Sequence, residues 1–270
     1  MNQVIWITGA SSGIGAELAK QYSKQGKLLI LSARREAELK VVKNSCEYPE
    51  NIKVLPLDLK DFDSMGKHVQ NAIAFYGSVD LLINNGGVSQ RSLIAETQFD
   101  VYQELININY LGTVALTKAL LPHFIERKKG HFAVVTSVMG KFGSPFRSGY
   151  CGAKHALHGF FDVLRMEHQK DNVNVTLICP GFVQTQVTVN ALTGTGERLN
   201  HDDPGTQNGL EVTYFCRKMI HAISNKKWEV SYGKKEKLGV FVKRFSQKLL
   251  HAIVILSLIH NCRCRRLLTC

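Results

Sequence analysis

Nowhere in its 270 residues does the chain carry the uninterrupted apolar stretch of ~20 residues that a membrane-spanning helix requires. The longest apolar run, 249–259, is broken by His251. The opening Val4-Ile5-Trp6-Ile7 is too short for the core of a secretory leader and runs straight into a glycine turn, so no signal peptide is expected. Paired cysteines are missing as well. The seven (46, 151, 179, 216, 262, 264 and 270) are scattered and odd in number, and Cys262-x-Cys264 has the spacing of neither a zinc knuckle nor a redox dithiol. Reduced thiols in a cytoplasmic protein, with no metal, is the expectation. Acid is in short supply: 22 Asp and Glu stand against 34 Lys and Arg, a net charge of +12. The excess is local. From Gly233 onward there are nine basic residues and one acid, which leaves 34 − 9 = 25 basic and 22 − 1 = 21 acidic residues, net +4, in 1–232. A nearly neutral body with a basic tail, without interleaved aromatics or a recognition motif, argues against nucleic-acid binding.

What is present is ample core, 44% apolar against 21% charged, and a regular alternation. Short apolar runs predict strands at 4–8, 28–32, 52–57, 81–84, 131–137, 173–179 and 228–231. Helical periods lie between them at 14–25, 36–46, 62–76, 99–127, 150–169 and 208–224. Continuously apolar strands separated by helices indicate a parallel sheet covered on both faces, one doubly wound α/β domain. In such sheets ligands bind beyond the carboxyl ends of the strands. Thr8, Asp58, Asn84, Asn85, Ser137 and Pro180-Gly181 all fall at predicted strand ends.

The first strand runs into Thr8-Gly9-Ala10-Ser11-Ser12-Gly13-Ile14-Gly15, which opens the first helix. Glycines here permit a tight turn and let backbone amides approach a pyrophosphate at the helix N-terminus. Gly9, Ser11, Ser12, Gly13, Ile14 and Gly15 are the candidate phosphate cradle. At the end of the second strand an NAD site usually places Asp or Glu to hold the ribose 2′-hydroxyl. This chain has Ala33-Arg34-Arg35 instead, and Arg34 offers a guanidinium to a 2′-phosphate. NADP(H) is therefore expected in preference to NAD(H).

Tyr150 and Lys154 stand four apart on a predicted helix, hence on one face about 5–6 Å apart between Cβ atoms. An ammonium beside a phenol favours phenolate and lowers a pKa that starts near about 10. Ser137 lies upstream at the end of a strand.

Taken in order, the glycine loop, Asn84-Asn85-Gly86-Gly87, Asn109, Ser137, Tyr150, Lys154 and Pro180-Gly181 resemble the short-chain dehydrogenase/reductase superfamily over roughly 1–232. The resemblance implies a Rossmann-type domain with a seven-stranded parallel sheet. It implies that Ser137 and Tyr150 bind the substrate oxygen, and that Tyr150 exchanges a proton with it during hydride transfer. Lys154 is implied to lower the tyrosine pKa and to hold the nicotinamide ribose, and Asn109 to anchor a water leading from Lys154 to solvent. It places Asp58 on the adenine, Asn85 and Gly86 in the N-N-A-G turn, and Pro180, Gly181 and Val183 beside the nicotinamide. Gly86 replaces the usual alanine and is expected to loosen that turn. Family members pair through the helices at 99–127 and 150–169, which implies a homodimer or homotetramer.

Other features are assigned more ordinary roles. His155 and His158, lacking a third ligand at sensible spacing, are expected to be surface or interface residues. Cys151 is expected to be a small helix residue, and Phe160-Phe161 and Val163-Leu164 to be packing. Residues 182–209, including Asp202-Asp203, form a loop long enough for a substrate lid. Val138, Met139, Phe142, Phe146 and Phe182 suggest a hydrophobic carbonyl substrate. The tail 233–270 combines basic and apolar residues, a composition suited to peripheral membrane contact or to a solvated cap. Stretch 254–270 matches nothing familiar. An NADP(H)-dependent carbonyl–alcohol oxidoreductase is the leading reading, and a nucleotide-binding regulatory or scaffold protein without turnover is its alternative.

Overall fold

The computed structural model describes residues 3–201 and 204–261. Asp202, Asp203 and the cysteines at 262, 264 and 270 lie outside the described residues. Seven strands, β1 (Val4–Thr8), β2 (Leu28–Ser32), β3 (Ile52–Val54), β4 (Leu81–Asn84), β5 (Gly130–Val135), β6 (Val173–Pro180) and β7 (Glu229–Tyr232), form one sheet in the order β3-β2-β1-β4-β5-β6-β7. All six pairings are parallel. Helices α1 (Gly13–Ser23), α2 (Glu36–Asn44), α3 (Met65–Tyr76), α4 (Phe99–Ile106), α5 (Gly112–Glu126) and α6 (Ser148–Glu167) provide the crossovers, followed by α7 (Pro204–Gln207) and α8 (Val212–Ser224). The architecture is the Rossmann-type one expected.

Strand alternation divides the interior into two cores. Trp6, Phe124, Phe132 and Phe161 fill one face of the sheet. Ile5, Ile7, Leu18, Phe215 and Met219 fill the other. Each such side chain contributes about 1.5–3 kcal/mol by leaving water. The Trp6 indole N–H donates to Ser32 Oγ at 2.8 Å, and that hydroxyl donates to Leu55 O at 2.6 Å, so the largest core residue buries no orphan donor.

Three departures from the sequence expectation have identifiable causes. Strand β3 stops at Val54 rather than 57 because Pro56 has no N–H; Leu55 and Leu57 still donate to Leu31 O and Ala33 O. The single helix expected at 99–127 is two helices joined by a π turn, Asn107–Leu111. Asn109 accounts for it: the buried side chain accepts from Val88 N at 2.9 Å and donates to Val88 O at 3.0 Å, holding the wide turn against the loop after β4. Helix α8, expected from 208, begins at Val212 because the Glu211 carboxylate caps it by accepting from Thr213 N and Tyr214 N.

The basic tail folds into α9 (Glu236–Phe245) and α10 (Gln247–Asn261). Phe142, Val138 and Leu250 form a third, smaller core where these helices meet the body. Neither they nor any other described helix is long and apolar enough to cross a membrane.

Candidate active site

The carboxyl ends of β1, β2, β4, β5 and β6 open onto a cleft of about 420 Å³ lined by Gly9, Ser11, Ser12, Gly13, Ile14, Arg34, Asp58, Asn85, Gly86, Asn109, Ser137, Tyr150, Lys154, Pro180, Gly181 and Val183. Gly15 sits just behind it. A Cβ at Gly15 would run into the Gly9 carbonyl, and one at Gly9, whose φ is +62°, would lie 2.8 Å from Gly86 Cα. The loop is thus packed too tightly for side chains. Asn85 ties it to the neighbouring turn by donating from Nδ2 to Thr8 O at 3.0 Å. The Thr8 hydroxyl accepts from both Asn85 N and Gly86 N, each at 3.0 Å. The expected loosening at Gly86 is therefore not found. A Cβ there would press on Leu59 Cδ1 at 2.8 Å, so the glycine makes room for a larger neighbour while Thr8 holds the turn.

At the end of β2 both Arg34 and Arg35 line the cleft; Arg35 pairs with Glu38 at 2.5 Å, whereas Arg34 has no carboxylate paired to it among the described residues. A phosphate fits beside an exposed guanidinium in a way that a ribose diol, which needs an acceptor, does not. With a glycine cradle at one end and Arg34 at the other, the donor set matches a phosphorylated dinucleotide.

The catalytic constellation is assembled from three elements. Ser137 ends the segment after β5 and caps a tight turn, its Oγ accepting from Met139 N at 3.1 Å and donating to Pro180 O at 3.3 Å. Tyr150 lines the same stretch of the cleft. Tyr150 and Lys154 project from α6, with Lys154 Nζ 5.7 Å from the ring centroid and donating to Val135 O at 2.8 Å. Burial raises the Tyr150 pKa, opposed by the polar Ser137 hydroxyl and by the positive charges of Arg147 and Arg91. Burial also brings Lys154 down to about 8. The lysine is not the dominant influence that its i,i+4 spacing suggested, because the pocket that holds it also desolvates both groups. In the bare chain Tyr150 is a protonated acid.

Sequence reasoning missed four positioning residues. Gln90 is fully buried, and its Oε1 accepts from Gly149 N at 2.8 Å and Tyr150 N at 3.3 Å, satisfying the first turn of the catalytic helix. No local pattern marks it. Thr185 lines the cleft and lies 3.2 Å from where a Gly13 Cβ would be, so the lid touches the glycine loop. Arg91 joins the loop after β4 to the lid by donating to Thr188 Oγ1 at 3.3 Å. Glu236, from the tail, accepts from Phe182 N at 2.9 Å, and only a glycine at 181 leaves room for its carboxylate. Glu236 had a signal: it is the one acid among nine basic residues of the tail.

A second cavity of about 70 Å³ adjoins Ser137 and Tyr150, walled by Val138, Met139, Phe182, Val183, Val187 and Glu236, with Arg91 and Arg147 at its edge. Phe142 is not in this wall; it is drawn away to pack under Gly239 of the tail. The lid is folded down, with Leu192 N donating to Ser89 O and Gln98 N to Gly194 O, both at 2.9 Å. Cys151 is a buried helix residue as expected, and Cys46, Cys151, Cys179 and Cys216 are free thiols. Of the two helix histidines, His155 is exposed. His158 is not at the surface: it is only 7% exposed because α6 turns this side toward the sheet.

The family model described as short chain dehydrogenase matches residues 3–195. The chain belongs to the short-chain dehydrogenase family. Among its curated relatives, dehydrogenase/reductase SDR family member 7 of Homo sapiens is 45% identical over 85% of this chain and 69% of the relative. The protein of the same name from Mus musculus is 50% identical over 85% and 70%. The family's oxidoreductase assignment thus covers the catalytic body. Among solved structures, a short-chain dehydrogenase from Streptomyces avermitilis superposes with a TM-score of 0.79 at 23% identity, covering 96% of each chain. ElxO, solved with NADP bound, gives a TM-score of 0.74 at 23% identity over 86% of this chain and 97% of its own.

Proposed function

We propose that this family member is an NADP(H)-dependent oxidoreductase that interconverts a carbonyl and a primary or secondary alcohol. The observation that carries the reading is the Tyr150 phenol, with Lys154 5.7 Å from its ring centroid and Ser137 beside it, in a cleft that also holds Arg34. The bound nicotinamide supplies or accepts the hydride. Ser137 orients the substrate oxygen. Tyr150, kept protonated by burial, gives that oxygen its proton in reduction, and the phenolate so formed takes the proton back in oxidation. Lys154 supplies positive charge beneath the phenol, and Asn109 holds the helix geometry that connects this end of the site to the loop after β4. The apolar walls of the small cavity suit a hydrophobic carbonyl compound. Actinorhodin polyketide ketoreductase, solved with NADPH and 28% identical with a TM-score of 0.65 over 68% of this chain, supports the cofactor choice.

Free thiols suit a cytoplasmic setting, and pairing of subunits through α5 and α6 would cover Leu111, Val163 and Met166, which stand exposed. The exposed Leu238, Phe241 and Phe245 of α9, flanked by lysines, suit peripheral contact with an anionic bilayer. The deciding experiment measures NADPH and NADH oxidation over a panel of aldehydes, ketosteroids and ketoacyl thioesters. Turnover with NADPH is the expected result. Tight NADPH binding without turnover of any carbonyl would establish the scaffold reading instead.

A further inference from the structure

Behind the catalytic lysine, on the side facing away from the cleft, three ligand-type side chains converge from three elements. His158 lies one turn beyond Lys154 on α6, Cys179 on β6 directly precedes Pro180, and Glu229 opens β7. His158 Nε2 is 3.8 Å from Cys179 Sγ, and His158 Nδ1 is 3.5 Å from Glu229 Oε2. One ligand atom from each residue falls within 4.8 Å of the others, and among the described residues no other such cluster occurs. His158 and Cys179 are 7% and 0% exposed, while the Glu229 side chain is 37% exposed and reaches solvent.

We infer that His158, Cys179 and Glu229 form a binding site for one zinc-class divalent cation. The donor set, one imidazole nitrogen, one sulfur and one carboxylate oxygen, is that of a borderline-soft metal with a tetrahedral preference. Zinc bonds of about 2.0–2.1 Å to nitrogen and 2.3 Å to sulfur place the two donors about 3.5 Å apart in a tetrahedral shell. The 3.8 Å separation of Nε2 and Sγ is within a small adjustment of that. With Nε2 on the ion, the partly exposed Glu229 carboxylate turns in from beside Nδ1, where it sits at 3.5 Å without an aligned hydrogen bond, to complete the donor set. Thr136 Oγ1 donates to Cys179 Sγ at 3.2 Å and would support the sulfur as a ligand from outside the shell.

Two competitors must leave when the ion enters. The thiol proton goes to solvent as sulfur coordinates. Lys141, whose Nζ lies 2.5 Å from Glu229 Oε2, gives up the carboxylate. Its long side chain is 26% exposed and can swing outward. The bound ion would brace α6 against β6 and β7, one turn from Lys154, leaving the cleft residues untouched.

Cobalt(II) is the probe for the test, added to chelator-stripped full-length protein. The expected result is one ion per chain with a thiolate-to-cobalt charge-transfer band, displaced by zinc, and a thermal midpoint that rises when zinc is added. Cys179→Ser should lose the band. Glu229→Gln should weaken zinc binding at least tenfold, and Lys141→Ala should strengthen it by removing a competing cation. No band in folded wild-type protein would overturn the inference, as would a band surviving in Cys179→Ser, which would place the thiolate elsewhere, as at Cys262 or Cys264. If Cys179→Ser fails to fold, the two partly exposed positions decide: unchanged affinity in both Glu229→Gln and Lys141→Ala overturns the site.

Discussion

The two ends of the cleft are built by different means. At the phosphate end the chain works mainly with backbone: glycines pressed against one another, amides at the start of α1, and the guanidinium of Arg34. At the carbonyl end it works with side chains drawn from distant segments: Ser137 after β5, Tyr150 and Lys154 on α6, Gln90 after β4, Phe182 in the lid and Glu236 in the tail. A backbone-made site leaves a compact signature in sequence, because glycine spacing is local. A site made by side-chain burial does not. Chemistry at the second end should therefore be sensitive to residues far away in sequence, and affinity at the first should depend on few.

The sharpest break in this contrast is Tyr150→Phe. Losing the acid should cut turnover by about 10²–10⁴, with NADPH affinity unchanged in a fluorescence titration; a parallel loss of affinity would mean the two ends are not separable. Arg34→Ala should act in the opposite sense. Removing a charge-assisted contact worth about 1.5–3 kcal/mol should raise the NADPH dissociation constant by roughly ten- to a hundredfold and leave NADH binding nearly unaltered. An equal effect on both cofactors refutes the 2′-phosphate role. Glu236→Ala tests whether the tail belongs to the carbonyl end. With Phe182 N left unpartnered, a loss of about 1–3 kcal/mol is expected in thermal unfolding, with a raised KM for the carbonyl and cofactor affinity preserved. Unchanged steady-state constants would return the tail to a purely external role.

The smallest effect is on pH. Lys154 works as the cation, and its pKa lies near about 8, so reductase activity should fall as pH rises through that value, well before Tyr150 ionises. Its folded pKa is below the unfolded value of 10.5, so the unfolded chain binds more protons between the two. Stability should accordingly rise with pH across that window while activity declines. A pH–rate profile set beside thermal midpoints over the same range checks the opposition.

Legibility followed the same division. All seven strands and the glycine loop are legible because each depends on neighbours within a few residues, and β1, β2 and β4 match to the residue. That the sheet is parallel follows from the alternation of strands and helices, whereas its strand order does not. His158 was taken for a surface residue because its partners Cys179 and Glu229 are 21 and 71 positions away (179 − 158 and 229 − 158), beyond any spacing rule. The effect of Lys154 on Tyr150 was overrated because i,i+4 geometry says nothing about the burial that the rest of the chain imposes. Gln90 was missed for the same reason, its role existing only where α6 meets the loop after β4.

The π turn at Asn107–Leu111 puts α4 and α5 out of phase with one another. A regular helix advances about 100° per residue, so one extra residue in that turn redirects everything after it by that amount. This is how a nearly continuous helix presents one side to α6 along α4 and another to α3 and β5 along α5. A single-residue deletion there would be no local loss. It would rotate the whole of α5 about its axis and carry Lys118, now in solvent, into the place that buried Thr117 holds.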